Sequence, residues 1–321
     1  MVAASALRIV FFGTPEFAVP TLDALLASRH TVVAVVTQPD RPRGRGQRTT
    51  DSPVKARASA GRLPVLQPGR LRDPAFLRDL ANLNADLGVV AAYGKILTDD
   101  VLATPRVGLI NVHASLLPRY RGAAPVHRAI IAGEHETGVT IMRVVKALDA
   151  GPMLATAARR IAPEETSEEV EADLSRLGAS LLVSVVDAIA AGRAVETPQD
   201  ETLATYAPRL TKEQGAVDWN LPAQRVHDLI RGLHPWPLAF SFLKGRRAIL
   251  RRSRVLGTAA VGAPGEITDA RGDTLAVAAG MGSVAITEIQ LEGKRPMTAR
   301  EFLAGHPVAA GDRFSPRPCQ P

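Results

Sequence analysis

The stretch GLINVHASLLPRYRGAAPV, residues 108–126, predicts a buried strand that ends at a ligand site. Residues 108–112 have the composition of a core strand, and Asn111 and His113 stand two apart, so their side chains share one face. A loop constrained by proline and glycine follows at once. Because ligands of open α/β sheets bind beyond the carboxyl ends of the strands, this strand end is a candidate functional site.

On both sides of this stretch, short apolar runs alternate with helical patterns through the first 190 residues. The runs predict strands at 8–12, 30–37, 65, 87–93, 108–113, 139–145 and 153–161. Thr14 is expected to cap a first helix that ends at Leu26, and a long amphipathic helix is expected over 167–190. This alternation predicts the α/β class, with a Rossmann-like, mostly parallel sheet.

The pattern changes after residue 190. Residues 191–210 are polar and contain proline, which favours a linker, and residues 38–55 are predicted to form a long loop. The remainder combines one helix, 224–232, with short strands separated by glycine and proline, typical of a small β-barrel or sandwich. We therefore predict one domain over 1–190, a linker over 191–210 and a second domain over 211–321.

The composition restricts the class of protein. The chain of 321 residues carries a net charge of +7, which favours an anionic partner, although solubility alone could explain it. Cys319 is the single cysteine, so a disulfide framework and a thiolate metal cluster are excluded. No apolar run approaches the roughly 20 residues that span a bilayer, and residues 1–6 lack signal-peptide character. We expect a cytoplasmic protein.

A nicotinamide dehydrogenase is disfavoured by the first turn. FFGTPEF, residues 11–17, offers one glycine instead of the three of a dinucleotide fingerprint. Pro15 removes an amide hydrogen from the turn, and Glu16 places a carboxylate there.

Three polar residues form a candidate catalytic set: Asn111, His113 and Asp149. The amide can donate to an oxygen that gains negative charge, the imidazole can move a proton, and the carboxylate can orient the imidazole. A satisfied core histidine and an ordinary turn aspartate in ALDAGP remain open alternatives. The set contains no obvious covalent nucleophile and too few ligands for zinc, so we predict direct attack by a substrate amine and no metal site.

These residues carry a resemblance to a known family. The N-x-H…D pattern of NVHASLLPRYRGAAPV and LDAGPML resembles that of the folate-dependent formyltransferases. The segments VTQPDRPRGRG, SPVK, AAYGKIL and HPWP add to this resemblance. The arginine-rich loop and the C-terminal half are similar to those of the branch that acts on tRNA. The order and spacing of the motifs match over nearly the whole chain.

The resemblance implies a co-substrate, a partner and site residues. The formyl donor would be 10-formyltetrahydrofolate, and the acceptor would be the α-amino group of initiator methionyl-tRNA. Asn111, His113 and Asp149 match the family's catalytic positions. The implied folate-binding residues are Ser115, Leu116, Leu117, Pro118, Tyr93 and Gly94. The implied second domain is an OB-like β-barrel that helps to hold the tRNA.

Two basic segments are candidates for tRNA contact. In the loop over 38–55 we assign this role to Arg43, Arg45 and Arg48, with Lys55 beyond them, against the alternative of a merely solvated loop. In KGRRAILRRSR, residues 244–254, strand alternation predicts one face with Arg246, Arg252 and Arg254 and another with Arg247 and Arg251. Aromatic residues make up 4% of the chain, so recognition would depend on phosphate and shape.

Two rival functions stay open. Arg143 and Lys146 precede Asp149, as similar basic residues do in formyltransferases that act on amino-sugar nucleotides. The other rival is an inactive, RNA-binding relative. We expect a monomer, since the predicted partner is large.

Overall fold

The computed structural model describes residues 5–43, 48–257, 259, 262–315 and 317, except for the side chains of residues 41–43, 48 and 49. The chain divides into two compact units. Unit 1 contains Met1–Pro125, Thr137–Arg159 and Glu171–Ala207, and unit 2 contains Val126–Glu136, Arg160–Val170 and Pro208–Pro321. The units are thus assembled from interleaved segments, whereas the sequence suggested consecutive ones.

The first 207 residues form eleven strands and six helices within the described part. In chain order these are β1 (Arg8–Gly13), α1 (Val19–Ala27), β2 (Thr31–Val36), β3 (Arg41–Arg43), β4 (Arg48–Thr50), α2 (Pro53–Ala60), β5 (Val65–Leu66), α3 (Pro74–Asn82), β6 (Leu87–Ala91), α4 (Asp99–Ala103), β7 (Leu109–His113), β8 (Arg121–Gly122), α5 (Pro125–Ala132), β9 (Glu136–Arg143), β10 (Met153–Arg160), α6 (Ser167–Ala190) and β11 (Tyr206–Ala207).

The main sheet of unit 1 has the order β10-β9-β7-β6-β1-β2-β5. The five strands from β5 to β7 pair in parallel, and β9 joins β7 antiparallel. Strands β1 and β6 are apolar and buried on both faces, as parallel strands covered by helices must be. Strand order reverses between β2 and β6 on either side of β1, which places a topological switch point at the carboxyl end of β1. The predicted mostly parallel α/β sheet is confirmed.

Two local predictions in unit 1 are wrong. Thr14 does not cap the first helix, since its hydroxyl donates to the carbonyl of Tyr93 and a 3-10 turn over Glu16–Ala18 precedes α1. The predicted long loop over 38–55 contains the antiparallel hairpin of β3 and β4 and the first residues of α2. In α2, Ser52 is the cap, because its hydroxyl accepts a hydrogen bond from the Lys55 amide at 3.1 Å.

The segment over 191–210 is more than a connection. It contains a 3-10 turn, Glu201–Leu203, and strand β11, which pairs in parallel with β8. Glu201 and Gln199 both bind the guanidinium of Arg121, which is 1% exposed. As far as Ala207, this segment belongs to unit 1.

Within the described residues, unit 2 contains an antiparallel sheet and two further α-helices. Its remaining elements are α7 (Ala223–Gly232), β12 (Ala239–Leu243), β13 (Arg246–Gly257), β14 (Ile267–Arg271), β15 (Thr274–Ala278), β16 (Ser283–Leu291), β17 (Met297–Thr298), α8 (Ala299–Gly305) and β18 (Phe314–Ser315). The sheet has the order β14-β15-β16-β13-β12-β18. Glu266 and Arg313 form a bridge between its two edges, so the sheet curls into the predicted small barrel.

The predicted arginine faces of β13 are wrong because the strand contains a bulge. Its register with β16 shifts between Leu250 and Arg252, so alternation breaks at Arg251. Arg251 and Arg252 pair with glutamates, and the Arg247 guanidinium lies 4.0 Å from the ring centroid of Phe240. None of the helices in the described part of the chain combines the length and apolar character that crossing a membrane requires.

Candidate functional site

The carboxyl end of β7 presents Asn111 and His113. Both lie in the strand as predicted, and His113 is its last residue and 5% exposed. Val112 pairs with Ala91, the last residue of β6, so the turn that follows β6 lies at the same sheet edge. Asn111 is half-buried, and within the described residues its side-chain amide makes no hydrogen bond. A half-buried amide with free donors at a strand end is suited to bind an oxygen of a ligand.

The structure brings Asp149 to His113. The Oδ2 atom of Asp149 lies 3.7 Å from Nδ1 of His113, and both side chains are largely buried. The other ring nitrogen, Nε2, lies 3.0 Å from the carbonyl oxygen of Tyr120. A carbonyl only accepts, so Nε2 carries the hydrogen in this contact, and Nδ1 of the neutral ring is left as the acceptor that faces the carboxylate. The pair can therefore take up a proton at Nδ1 and stabilise it there.

Two backbone features hold Asp149 at this distance. Its φ is +48°, a left-handed conformation that aspartate tolerates better than most residues. Its Oδ2 also accepts a hydrogen bond from the amide of Gly122 at 2.8 Å. Gly122 has a φ of +120°, and a Cβ there would lie 2.8 Å from the carbonyl oxygen of Ala207. Only glycine suits this position, which explains why the loop after β7 has a glycine at residue 122.

The segment over 115–118 is tied to β9 by one threonine. Thr140 is fully buried, its hydroxyl donates to the carbonyl of Ser115 at 2.7 Å, and it accepts from the amide of Leu117 at 3.1 Å. Ser115 and Leu117 are buried, whereas Leu116 and Pro118 are half-buried and form the accessible part of the segment. Sequence reasoning missed Thr140, for which the only signal was one hydroxyl in the apolar run GVTIM.

Tyr93 and Gly94 differ in what they expose. The Tyr93 ring is 2% exposed and packs edge-on against Phe12, and burial raises the pKa of its phenol to about 12. Its backbone carbonyl accepts from Thr14 and from Gln38, which joins three strand ends at the switch point. Gly94 is exposed with a φ of +81°. At this turn, the exposed backbone of Gly94 is available to a ligand. The Tyr93 ring is part of the hydrophobic core and is not available.

The hairpin of β3 and β4, which carries the candidate tRNA-binding arginines, is held at its base by ion pairs of Lys55. Arg43 of β3 pairs with Arg48 of β4, and Arg45 lies outside the described residues. Lys55 forms ion pairs with Asp40, just before β3, and with Asp51, just after β4. The hydrogen bonds that the Lys55 ammonium donates to the two carboxylates raise the pKa of Lys55. The sequence places Lys55 with the basic residues of this loop, but in the structure its charge is balanced by the two acids that flank the hairpin.

Arg143 and Lys146 are engaged elsewhere. The Arg143 guanidinium binds Glu196 at 2.7 Å and the carbonyl of Val107 at 2.9 Å. Lys146 pairs with Asp99 on the surface at 3.1 Å. In the part of the chain that the structure describes, no three His, Cys, Asp or Glu side chains converge in a way that could hold a metal ion.

Comparison with known proteins assigns both halves of the chain. A family model described as formyl transferase matches residues 7–186, and one described as formyl transferase, C-terminal domain, matches residues 209–307. A methionyl-tRNA formyltransferase of Moorella thermoacetica is 46% identical over 95% of this chain and 98% of its own. One of Stutzerimonas stutzeri is 50% identical over 91% of this chain and 92% of its own.

A solved structure shares the fold at low sequence identity. It is an N-formyltransferase of Helicobacter canadensis in complex with folinic acid and dTDP-3-aminofucose. It superposes with a TM-score of 0.67, is 16% identical, and covers 87% of this chain and 99% of its own.

Proposed function

Since this chain belongs to the formyl transferase family, we propose that it transfers the formyl group of 10-formyltetrahydrofolate to the α-amino group of initiator methionyl-tRNA. The observation that carries the proposal is the contact of His113 with Asp149 beside the Asn111 amide, at the carboxyl end of β7. The product would be N-formylmethionyl-tRNA, which serves translation initiation.

The reaction exchanges one amide bond for another. A bond forms between the methionine nitrogen and the formyl carbon, and the bond from that carbon to N10 of the folate breaks. The methionine nitrogen loses one proton and N10 gains one, so the reaction is balanced without an oxidant or a metal. This balance starts from the neutral amine. The aminoacyl ammonium must first lose another proton to become a nucleophile, and that proton ends in solvent, which returns the enzyme to its starting state.

Asn111, His113 and Asp149 each have a separate role in this reaction. The Asn111 side chain donates from its NH₂ to the formyl oxygen as that oxygen gains negative charge. His113 takes the ammonium proton at Nδ1, because its Nε2–H is held by the Tyr120 carbonyl. Asp149 stabilises the resulting imidazolium across 3.7 Å. No covalent bond to the protein is needed.

The accessible surface near these residues suits a folate. Half-buried Leu116 and Pro118 offer apolar contact to a flat ring, and the Thr140 hydroxyl fixes the segment that carries them. Gly94 leaves room at the adjoining turn. We propose that Ser115, Leu117 and Tyr93 contribute backbone and packing to the same pocket, because their side chains are buried.

For the tRNA we propose Arg43, Arg45 and Arg48 as phosphate contacts on a hairpin whose base is held by Lys55. We further propose that residues 1–190 supply catalysis and that 211–321 add tRNA contacts. Residues 191–210 lead from one region to the other and, as far as Ala207, also pack within unit 1. Unit 2 has exposed arginines on β13, at Arg246 and Arg254, that fit this role. The protein is expected to act as a monomer in the cytoplasm.

One experiment separates the proposed acceptor from its rival. The purified chain is incubated with 10-formyltetrahydrofolate and either charged initiator tRNA or an amino-sugar nucleotide, and formyl transfer is measured. Transfer to the tRNA alone is expected, since Arg143 and Lys146 are bound to Glu196 and Asp99. Transfer to the sugar nucleotide alone, or to neither acceptor, would refute the proposal.

A further inference from the structure

We propose that Gln199 is a positioning residue, which fixes the backbone of Asp149 so that its carboxylate reaches His113. The inference extends the proposed function, because it concerns how the same proton-handling pair is held. Gln199 lies in the segment that the sequence suggested was a linker, 50 residues from Asp149.

The amide nitrogen of Gln199 binds the turn that carries Asp149. It donates to the carbonyl oxygen of Asp149 at 2.8 Å and to the carbonyl oxygen of Gly151 at 2.8 Å. The first bond fixes the carbonyl of Asp149, whose backbone adopts the left-handed conformation, and the second fixes the same turn two residues later. Without them, nothing else in the described contacts holds these two carbonyls to the neighbouring segment.

The side-chain oxygen of Gln199 is held by two hydrogen bonds from Arg121. Its Oε1 accepts from Nε of Arg121 at 3.0 Å and from Nη2 at 2.7 Å. The same guanidinium makes two hydrogen bonds to Glu201, at 2.8 and 2.9 Å. Burying this arginine requires the paired carboxylate and the amide oxygen, since an unbalanced buried charge is costly.

The network reaches both parts of Asp149. Gln199 binds its backbone, and Gly122, the neighbour of Arg121, donates its amide to the carboxylate. The Arg121 amide in turn donates to the carbonyl of Thr205, which fixes the β8 strand. The main chain of Asp149 is therefore held through Gln199, which binds Arg121, and its side chain is held by Gly122. Both anchors depend on strand β8.

The turn has little room to adapt if this anchor is lost. A Cβ at Gly151 would lie 2.0 Å from the carbonyl oxygen of Arg143, so that backbone is already in close contact. Because the carboxylate acts across 3.7 Å, a displacement of about 1 Å would change its effect strongly, and such misplacement can cost about a hundredfold in rate.

The test is Gln199→Glu in the full-length protein. The substitution keeps an oxygen for Arg121 but replaces the two donors to Asp149 and Gly151 by an acceptor. We expect kcat for formyl transfer to fall about ten- to a hundredfold. The KM values for 10-formyltetrahydrofolate and charged tRNA should stay within about twofold, because the Gln199 side chain is fully engaged with Asp149, Gly151 and Arg121.

A double substitution distinguishes positioning from general support. If Gln199 acts through the Asp149 carboxylate, Gln199→Glu should change kcat by less than about twofold in an Asp149→Asn background. An equal loss in both backgrounds, a fully active Gln199→Glu protein, or a loss confined to KM would overturn the inference. A wild-type protein without formyl transfer would instead overturn the proposed function, and this inference with it.

A matched control lies next to Gln199. Asp200 is exposed and only caps the turn over Glu201–Leu203, and Asp200→Asn keeps an acceptor for the Thr202 amide. It should retain kcat within about twofold, and a loss equal to that of Gln199→Glu would overturn the inference. Should Gln199→Glu fail to fold, Gln199→Met removes the same donors without adding charge and is assayed by the same scheme and criteria.

Discussion

Replacing Thr140 by valine tests how the folate-binding segment is held. The hydroxyl of Thr140 bridges the Ser115 carbonyl and the Leu117 amide, at 2.7 and 3.1 Å, and all three residues are buried. Valine has the same shape but can neither donate nor accept. The substitution therefore leaves one acceptor and one donor buried without partners.

The magnitude follows from these two groups. Each unsatisfied buried polar group costs about 1–3 kcal/mol, and the added methyl group returns about 0.8 kcal/mol through burial. We expect Thr140→Val to lower the free energy of unfolding by about 1–5 kcal/mol. Since Leu116 and Pro118 are carried by the same segment, the KM for 10-formyltetrahydrofolate should also rise, by about fivefold or more, from misplacement of the contact surface.

The assay combines urea unfolding with steady-state kinetics, and Thr137→Val is the control. Thr137 lies in the same strand, is 4% exposed, and makes no side-chain hydrogen bond within the described residues. Its replacement should cost less than about 1 kcal/mol. If Thr140→Val is no less stable than this control and keeps the wild-type KM for the folate, the reasoning is refuted.

Further outcomes concern the catalytic residues, the hairpin and the pH range. Asn111→Ala and His113→Ala should each lower kcat at least about a hundredfold with little change in KM, and near-normal turnover in either contradicts its role. Lys55→Met should raise the KM for charged tRNA about three- to tenfold at unchanged kcat, because the hairpin base loses its bridge, and an identical KM would exclude this. Burial, with the charge of Arg128, lowers the pKa of His127 from 6.5 to about 4, so the unfolded chain binds the extra proton first as pH falls through 6.5. Between pH 7.5 and pH 5.0, the free energy of unfolding should fall by about 1–2 kcal/mol less in His127→Gln than in the wild type, as measured by denaturant unfolding at both pH values. Equal decreases in the two proteins would argue against a buried neutral imidazole.

Several parts of the fold and site follow from local pattern. The helix predicted over 167–190 is observed with the same bounds, because its amphipathic period runs without interruption from one end to the other. Asn111 and His113 could be placed on one face of a strand end by a spacing of two. Asp149 could be proposed as the carboxylate of the set, but local spacing favoured an ordinary turn, since D-x-G is a common turn signal, and the family resemblance gave the stronger support.

The parts that escaped prediction depend on distant residues. From the sequence, Arg121 would be expected to be an exposed cation in a loop. In the structure it is one of the most buried side chains, because Gln199 and Glu201, about 80 residues away, bind its guanidinium. The bulge in β13 is set by its pairing with β16, so strand alternation alone assigned its arginines to the wrong faces. Local periodicity carries no information about such contacts.

The interleaved make-up of unit 2 has a consequence for protein engineering. Helix α7 binds segment 160–170 through the contacts of His227 with the Pro163 carbonyl and of Arg231 with the carbonyls of Ala162 and Glu165. A gene fragment that encodes only 211–321 would omit these acceptors and uncover the face of α7 that the segment 160–170 normally covers. The barrel is thus not a cassette that can be excised or grafted onto another enzyme by a single cut, and swaps between relatives must exchange residues 126–136 and 160–170 with it.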